Sequence, residues 1–265
     1  MKKKYFLQQT KRNRPQGTRK GVYILPNLFT TGGLFCGFYS IVASLNEDFT
    51  LAAWAILFST IFDWLDGKVA RISRTVSRFG MEYDSLSDLI AFGMAPGIMM
   101  YTWALRPFGR TGWLAAFLYV ACAALRLARF NVQSSNVETK SFQGMPTPAA
   151  GGLLAATVLM AAYAGWDEIN KHIPILLTTF FLSILMVSKV RYQSFKALES
   201  SDRISFQLLV VALCILIVVV AEPQVTLFTF FSLYALSGPA LGILGQVRAF
   251  RKKVFARKQE DATVV

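Results

Sequence analysis

The chain has 265 residues and a formal net charge of +13 at pH 7. Hydrophobic residues make up 54% of it and charged residues only 16%, whereas charged residues make up roughly a quarter of a typical soluble domain. This composition indicates a polytopic membrane protein. The basic residues stand at the ends of apolar segments and not on a folded polar surface, so we expect no nucleic-acid partner.

Residues 1–20 contain eight Lys or Arg and no acid, without the apolar core and small-residue cleavage site of a secretory signal. They predict a retained basic arm at the cytoplasmic membrane surface. Eight apolar segments follow, each near the length that a bilayer requires. They are residues 28–45, 51–72, 81–105, 113–130, 147–166, 173–188, 206–221 and 225–245.

The basic residues between these segments predict the orientation of the chain. Of the 28 Lys and Arg, 25 fall in the N-terminal arm, the even-numbered loops and the C-terminal tail. Only Arg106, Arg110 and Lys171 fall on the other side. Because basic loops remain in the cytoplasm, we expect both termini to be cytoplasmic.

Four aspartates interrupt the second and third apolar segments, where carboxylates are costly. Asp63 and Asp66 are three residues apart and Asp84 and Asp88 four apart, so each pair shares one helix face. In antiparallel helices the pairs match in depth, with Asp63 and Asp88 about 12 Å from the cytoplasmic ends and the other two about 6–8 Å. The pattern predicts a cage of four carboxylates facing the cytoplasm.

Small residues extend the acidic face of each helix. Gly67 and Ala70 continue the first face, Gly80 lies one turn before the second, and Arg71 adds a positive charge at the end of the first helix. A bulky group could therefore lie against the backbone here. Oxygen ligands, small residues and a cation together indicate a metal-bound phosphate.

Two other interpretations of the aspartates remain open. The acids could neutralise Arg71, Arg74 and Arg78, or they could form the ion path of a transporter. The matched depth of the two pairs and the small residues beside them favour the phosphate site.

The same positions form the pattern D-x2-D-G-x2-A-R-x8-G-x3-D-x3-D, which has eight fixed residues within 26. This pattern resembles the signature of the CDP-alcohol phosphotransferases. The resemblance implies a mostly six-helix membrane core in a homodimer, two divalent cations (Mg²⁺ or Mn²⁺) and a nucleotide diphosphate ester as donor.

The resemblance also implies a role for each position. Asp63, Asp66, Asp84 and Asp88 become metal ligands, and Asp88 is also the candidate general base, since it is the deeper of its pair. The CDP-binding positions become Asn27, Thr30, Asp66, Gly67, Ala70, Arg71 and Gly80. Asn27 and Thr30 belong to a P-N-x2-T motif, which could also be a helix N-cap.

Three further stretches resemble the integral-membrane phosphatidylserine synthase branch of that family. They read ALRLARFN at the end of the fourth segment, FQGMPTPAA at the start of the fifth and VSKVRY at the end of the sixth. The resemblance implies CDP-diacylglycerol as donor and L-serine as acceptor, and a guanidinium suits the serine carboxylate. The acceptor positions become Arg126, Arg129, Asn131 and Gly144. The arginines could instead snorkel to lipid head groups.

The expected function is therefore transfer of a phosphatidyl group to serine with release of CMP, at the cytoplasmic face of a bacterial inner or cell membrane. A family member with another acceptor, such as glycerol 3-phosphate or inositol, and a transporter remain alternatives. We divide the chain into the basic arm (1–20), the membrane core (21–192), two further helices (193–246) and a basic and polar tail (247–265).

Overall fold

The structure is a computed structural model that describes residues 24–73, 77–134, 144–165, 173–190, 192 and 221–242. Within these ranges the chain is helical and contains no strand, which confirms an all-α polytopic membrane protein. The predicted arm (1–20), the tail (247–265) and all but the last residue of the segment 206–221 lie outside these ranges, as do Arg74 and Lys171.

Seven helices in the described residues correspond to seven of the eight predicted segments. They are α1 (Ile24–Leu45), α2 (Phe49–Ile72), α3 (Arg78–Phe108), α4 (Arg110–Ser134), α5 (Thr147–Tyr163), α6 (Ile173–Val187) and α7 (Pro223–Gly242). All but α5 and α6 are long and apolar enough to cross a membrane, and those two are shorter apolar helices. Helix α5 ends three residues earlier than predicted, because Gly165 adopts a φ of 69° that terminates the helix.

Helix α3 changes its geometry directly after the second pair of aspartates. It is α-helical over Arg78–Asp88, π-helical over Leu89–Met94, α-helical again over Ala95–Met100, π-helical over Tyr101–Leu105 and 3-10 over Arg106–Phe108. In the first π-helical turn the Phe92 carbonyl accepts a hydrogen bond of 3.0 Å from the Tyr119 hydroxyl of α4. Such turns are frequent at functional sites, and the apolar pattern did not predict this one.

Helix α1 packs against both helices that carry the aspartates, α2 and α3. Small residues allow the close approach. A Cβ atom at Gly37 in α1 would lie 2.6 Å from the Cα of Ala91 in α3, so this position requires glycine. The Ser59 hydroxyl of α2 donates to the Gly33 carbonyl of α1 at 3.0 Å. Helix α1 therefore holds α2 and α3 in a fixed relation.

Candidate active site

Three of the four aspartates converge. Asp63 and Asp66 on α2 and Asp84 on α3 bring one carboxylate oxygen each to within 4.8 Å of one another. Asp88 lies one turn further along α3 and is not part of this trio, but its carboxylate interacts electrostatically with all three. The predicted cage is thus a trio of close carboxylates with a fourth beside it.

The trio offers only oxygen ligands, which is the donor set that hard divalent cations such as Mg²⁺ and Mn²⁺ prefer. Asp66 is buried, and the hydroxyl of Thr30 lies beside its carboxylate. Taking several carboxylates out of water at one point is unfavourable unless cations balance their charge. The residues therefore fit a divalent-metal site.

A single open cleft beside the trio contains every residue that the sequence assigned to CDP. Asp84 lines the cleft too, together with Pro26, Ser77 and Met81, which the sequence did not single out. The seven assigned residues in its wall are Asn27, Thr30, Asp66, Gly67, Ala70, Arg71 and Gly80. Residues from α1, α2 and α3 that are distant in sequence thus share one surface.

The glycines of this cleft leave space for a ligand. A Cβ atom at Gly67 would have no neighbour within 4 Å among the described residues, so helix packing there does not require glycine. A Cβ atom at Gly80 would meet the Ser77 Oγ at 3.1 Å and the Asn27 Oδ1 at 3.6 Å. Gly67 therefore keeps the cleft open, and Gly80 lets α3 begin close to α1.

Two helices begin at this cleft. Ser77 is the N-cap of α3, and its Oγ accepts a hydrogen bond of 2.9 Å from the Gly80 N–H. Asn27 lies in the first turn of α1, and the exposed Arg71 lies opposite on α2. Helix N-termini carry a partial positive charge and attract anions, so the cleft suits phosphate groups. A serine three residues before Gly80 was the sequence signal for this cap.

Of the predicted acceptor residues, Arg126 on α4 is the one whose charge acts on the aspartates. Its guanidinium interacts electrostatically with Asp63 and Asp88. Its Nη1 donates to the Thr147 Oγ1 at 3.1 Å, and its Nε is buried without a hydrogen-bond partner. Arg126 therefore retains donor capacity beside the carboxylates.

Arg129 and Asn131 make contacts between helices instead. The Nη1 of Arg129 donates to the Val187 carbonyl at 3.0 Å, at the C-terminal end of α6. The Asn131 amide donates to the Glu82 Oε2 at 3.2 Å and accepts from the Ser85 Oγ at 3.1 Å, which joins α4 to α3. These bonds give both side chains a structural role, and their proposed role in serine binding stays a prediction.

Gly144 also has a structural role. Its φ of 87° is a conformation that favours glycine, and a Cβ atom there would collide with the Met186 carbonyl. Its N–H donates to the Val190 carbonyl at 2.9 Å, which ties the start of α5 to the chain after α6. The glycine is needed for this turn, whatever else the residue does.

This arrangement of carboxylates and cleft agrees with the comparison with known families. Residues 23–190 match the family model described as CDP-alcohol phosphatidyltransferase. The chain belongs to this family. The match confirms the resemblance that the aspartate pattern indicated. CDP-alcohol phosphatidyltransferases are in general divalent-metal-dependent transferases of membranes.

Several relatives within the family carry one name, CDP-diacylglycerol-serine O-phosphatidyltransferase. The chain is 38% identical to that of Helicobacter pylori strain 26695 over 217 residues, which cover 82% of this chain and 90% of the relative. It is 37% identical to that of Bacillus subtilis strain 168 over 174 residues, with 65% and 91% covered. The relative from Methanocaldococcus jannaschii is 31% identical over 196 residues, with 74% and 86% covered.

Proposed function

We propose that the protein transfers the phosphatidyl group of CDP-diacylglycerol to the hydroxyl of L-serine and releases CMP. The observation that carries this proposal is the cleft in which all seven predicted CDP positions meet the carboxylate trio. The choice of serine is supported by the shared name of relatives that are 31–38% identical. It is also supported by Arg126, a cation beside the carboxylates that suits an amino-acid carboxylate.

Different residues of the cleft bind different parts of the donor. Gly67 and Ala70 provide a surface without bulk on which the nucleotide lies. Arg71 and the N-termini of α1 and α3 stabilise the negative charge of the diphosphate. Asp63, Asp66 and Asp84, with Asp88, would hold two divalent cations, Mg²⁺ or Mn²⁺, which supply electrostatic stabilisation of the developing charge on the leaving CMP.

The acceptor lies on the α4 side of the trio. Arg126 binds the serine carboxylate and so brings the serine hydroxyl towards the donor phosphorus. Asp88, which interacts electrostatically with Arg126, accepts the hydroxyl proton. The serine oxygen forms a bond to the phosphatidyl phosphorus, and the bond from that phosphorus to the CMP oxygen breaks.

The orientation and the assembly belong to the same proposal. The excess of basic residues on one side of the predicted spans supports an active site and termini in the cytoplasm, where serine is available. The family resemblance supports a homodimer. We expect the location to be a bacterial inner or cell membrane.

An assay of CMP release tests this proposal. Purified protein in detergent or liposomes receives CDP-diacylglycerol, Mg²⁺ or Mn²⁺ and one alcohol from a panel of serine, glycerol 3-phosphate and inositol. We expect release that requires both metal and serine, with phosphatidylserine as the lipid product. Release that requires another alcohol would overturn the proposal that serine is the acceptor. Ion flux without any CMP release would favour a transporter.

A further inference from the structure

The first π-helical turn of α3 begins directly after Asp88, and neighbouring helices hold α3 on both sides of this aspartate. Before it, the buried Ser87 Oγ donates to the Thr30 carbonyl of α1 at 3.1 Å. After it, α5 approaches closely, since a Cβ atom at Gly151 would lie 3.3 Å from the Cα of Phe92. The geometry of the turn therefore affects the direction of Asp88, which lies between two fixed points.

A proline explains why this turn is not α-helical. In an α-helix the Phe92 carbonyl would accept a hydrogen bond from the N–H of residue 96, which is Pro96. Proline has no N–H, and its ring collides with the carbonyl four residues earlier. The backbone bonds over five residues instead, as in the bond from the Ala95 N–H to the Ile90 carbonyl. The Phe92 carbonyl thus lacks the donor that an α-helix would provide.

Tyr119 of α4 supplies a donor at this point. Its hydroxyl donates to the Phe92 carbonyl at 3.0 Å, and both side chains are fully buried. A buried carbonyl without a partner is costly, above all within a membrane. Helix α4 can approach because position 97 is glycine: a Cβ atom at Gly97 would lie 2.9 Å from the Val120 Cγ2. The tyrosine hydroxyl therefore stabilises the π-helical form of the turn.

We propose that Tyr119 is a positioning residue for the reaction: its bond to Phe92 holds the π-helical turn and so fixes the direction of the Asp88 carboxylate. A turn with bonds over five residues contains more residues than an α-helical turn, so its conversion to an α-helix rotates the preceding residues relative to the following ones. Tyr119 itself touches no substrate. This inference rests on the proposed function, in which Asp88 accepts the proton of the acceptor hydroxyl and helps to hold the cations.

Tyr119→Phe tests the inference, because it removes the hydroxyl and keeps the ring. We expect kcat to fall about three- to ten-fold, while KM for CDP-diacylglycerol and for serine stays within about two-fold of the wild type. Tyr192→Phe is the matched control, since the buried Tyr192 hydroxyl also donates to a helix carbonyl at 3.0 Å, that of Ala235 in α7. Both variants should lower the thermal midpoint by about 2–4 °C, but only Tyr119→Phe should lower kcat.

Adding Pro96→Ala to Tyr119→Phe separates positioning from stability. The new backbone N–H at position 96 can bond the Phe92 carbonyl, so the thermal midpoint should recover, whereas kcat should stay low because the turn is then α-helical. A recovered kcat or an unrecovered midpoint in the double variant would overturn the inference, as would a normal kcat in Tyr119→Phe or an equal loss of kcat in Tyr192→Phe.

None of these outcomes affects the proposed function, which the wild-type enzyme tests separately. A wild-type enzyme that requires another alcohol would overturn serine as the acceptor. The same variants are then measured with that alcohol, and a fall in kcat at constant KM still supports the role of Tyr119.

Discussion

The donor side and the acceptor side that we propose for this site are built in different ways. The donor side uses α1, α2 and α3, which follow one another in the chain, and its chemistry depends on helical spacing within two neighbouring helices. The proposed acceptor side uses Arg126 of α4, and only tertiary packing brings this residue to Thr147 of α5 and to the aspartates of α2 and α3. The proposed donor side can therefore be encoded in a short motif, whereas the proposed acceptor side depends on contacts between helices that are distant in the sequence.

This difference predicts which kinetic constant each substitution changes. Substitutions of the carboxylates should reduce kcat, those in the cleft should weaken donor binding, and those around Arg126 should weaken serine binding. A cleft substitution that weakened serine binding instead of donor binding, or a substitution around Arg126 that weakened donor binding instead of serine binding, would contradict this assignment.

The largest effect is expected at the carboxylate trio. Asp63→Asn or Asp84→Asn should lower kcat about 100- to 1,000-fold, the range for loss of one electrostatic stabiliser of a transition state. The neutral amide is a weaker metal ligand and leaves the charge of the site unbalanced. The rate of CMP release over a range of Mg²⁺ and Mn²⁺ concentrations measures this loss of kcat. The exposed Asp48, at the opposite end of α2, provides the control Asp48→Asn, which should retain activity.

Near-normal turnover of a folded Asp63→Asn protein at ordinary metal concentration would contradict the metal site. Because the variant keeps the size of the side chain, we expect it to fold and to insert into the membrane. Retained binding of CDP-diacylglycerol would show directly that the cleft is intact.

The next effect separates two arginines that lie one helical turn apart. Arg126→Ala should raise KM for serine about 10- to 100-fold, because a charge-assisted contact is lost, and change KM for CDP-diacylglycerol much less. Arg126→Lys should recover part of the loss, since lysine keeps the charge without the paired donors. Arg129→Ala should lower the thermal midpoint instead, because it removes the bond to Val187.

Serine and donor titrations of the three variants decide between these roles. If Arg129→Ala raised the serine KM more than Arg126→Ala, Arg129 would be the main serine-binding arginine, and its bond to Val187 would not be its main role. An equal loss of affinity for both substrates would place Arg126 on the donor phosphates.

The sequence predicted the convergence of the aspartates and the cleft residues for a physical reason. Carboxylates are so costly in a membrane segment that, at helical spacing beside glycines, they fit few roles besides ligand binding, so the clustering of Asp63 and Asp84 could be expected from spacing. Arginines at a helix end fit several roles equally well, from lipid contact to helix packing. The structure distinguishes the proposed roles, because Arg129 bonds to Val187 whereas Arg126 interacts with Asp63 and Asp88.

One feature of the structure had no such signal in the sequence. In the π-helical turn after Asp88, the Phe92 carbonyl of α3 accepts a hydrogen bond from Tyr119 of α4. Such a contact between helices is a property of tertiary packing, which a pattern of apolar residues along one helix does not specify.

A moderate effect is expected from filling the cleft. Gly67→Leu should raise KM for CDP-diacylglycerol about ten-fold, the scale of a few misplaced methylene groups in a binding site. The thermal midpoint should not fall, since a Cβ atom there meets nothing and leucine favours a helix. Gly37→Leu is the opposite control: its side chain would collide with Ala91, so stability should fall by about 1–3 kcal/mol or more. Lost stability with normal donor affinity in Gly67→Leu would make this glycine a packing residue.

The smallest effect tests whether the start of α3 helps to bind the donor. Ser77→Ala removes the cap of the Gly80 N–H and should cost about 1 kcal/mol of stability. It should also raise KM for CDP-diacylglycerol about two- to five-fold, because the uncapped first turn no longer holds its N–H groups towards the phosphates. Asparagine is an equally good cap, so Ser77→Asn should restore both the stability and most of the donor affinity.

The KM for serine should stay unchanged in both variants, because Ser77 belongs to the proposed donor side. A donor KM that is unaltered in Ser77→Ala while stability falls would limit the cap to folding and leave phosphate binding to Arg71 and the carboxylate trio.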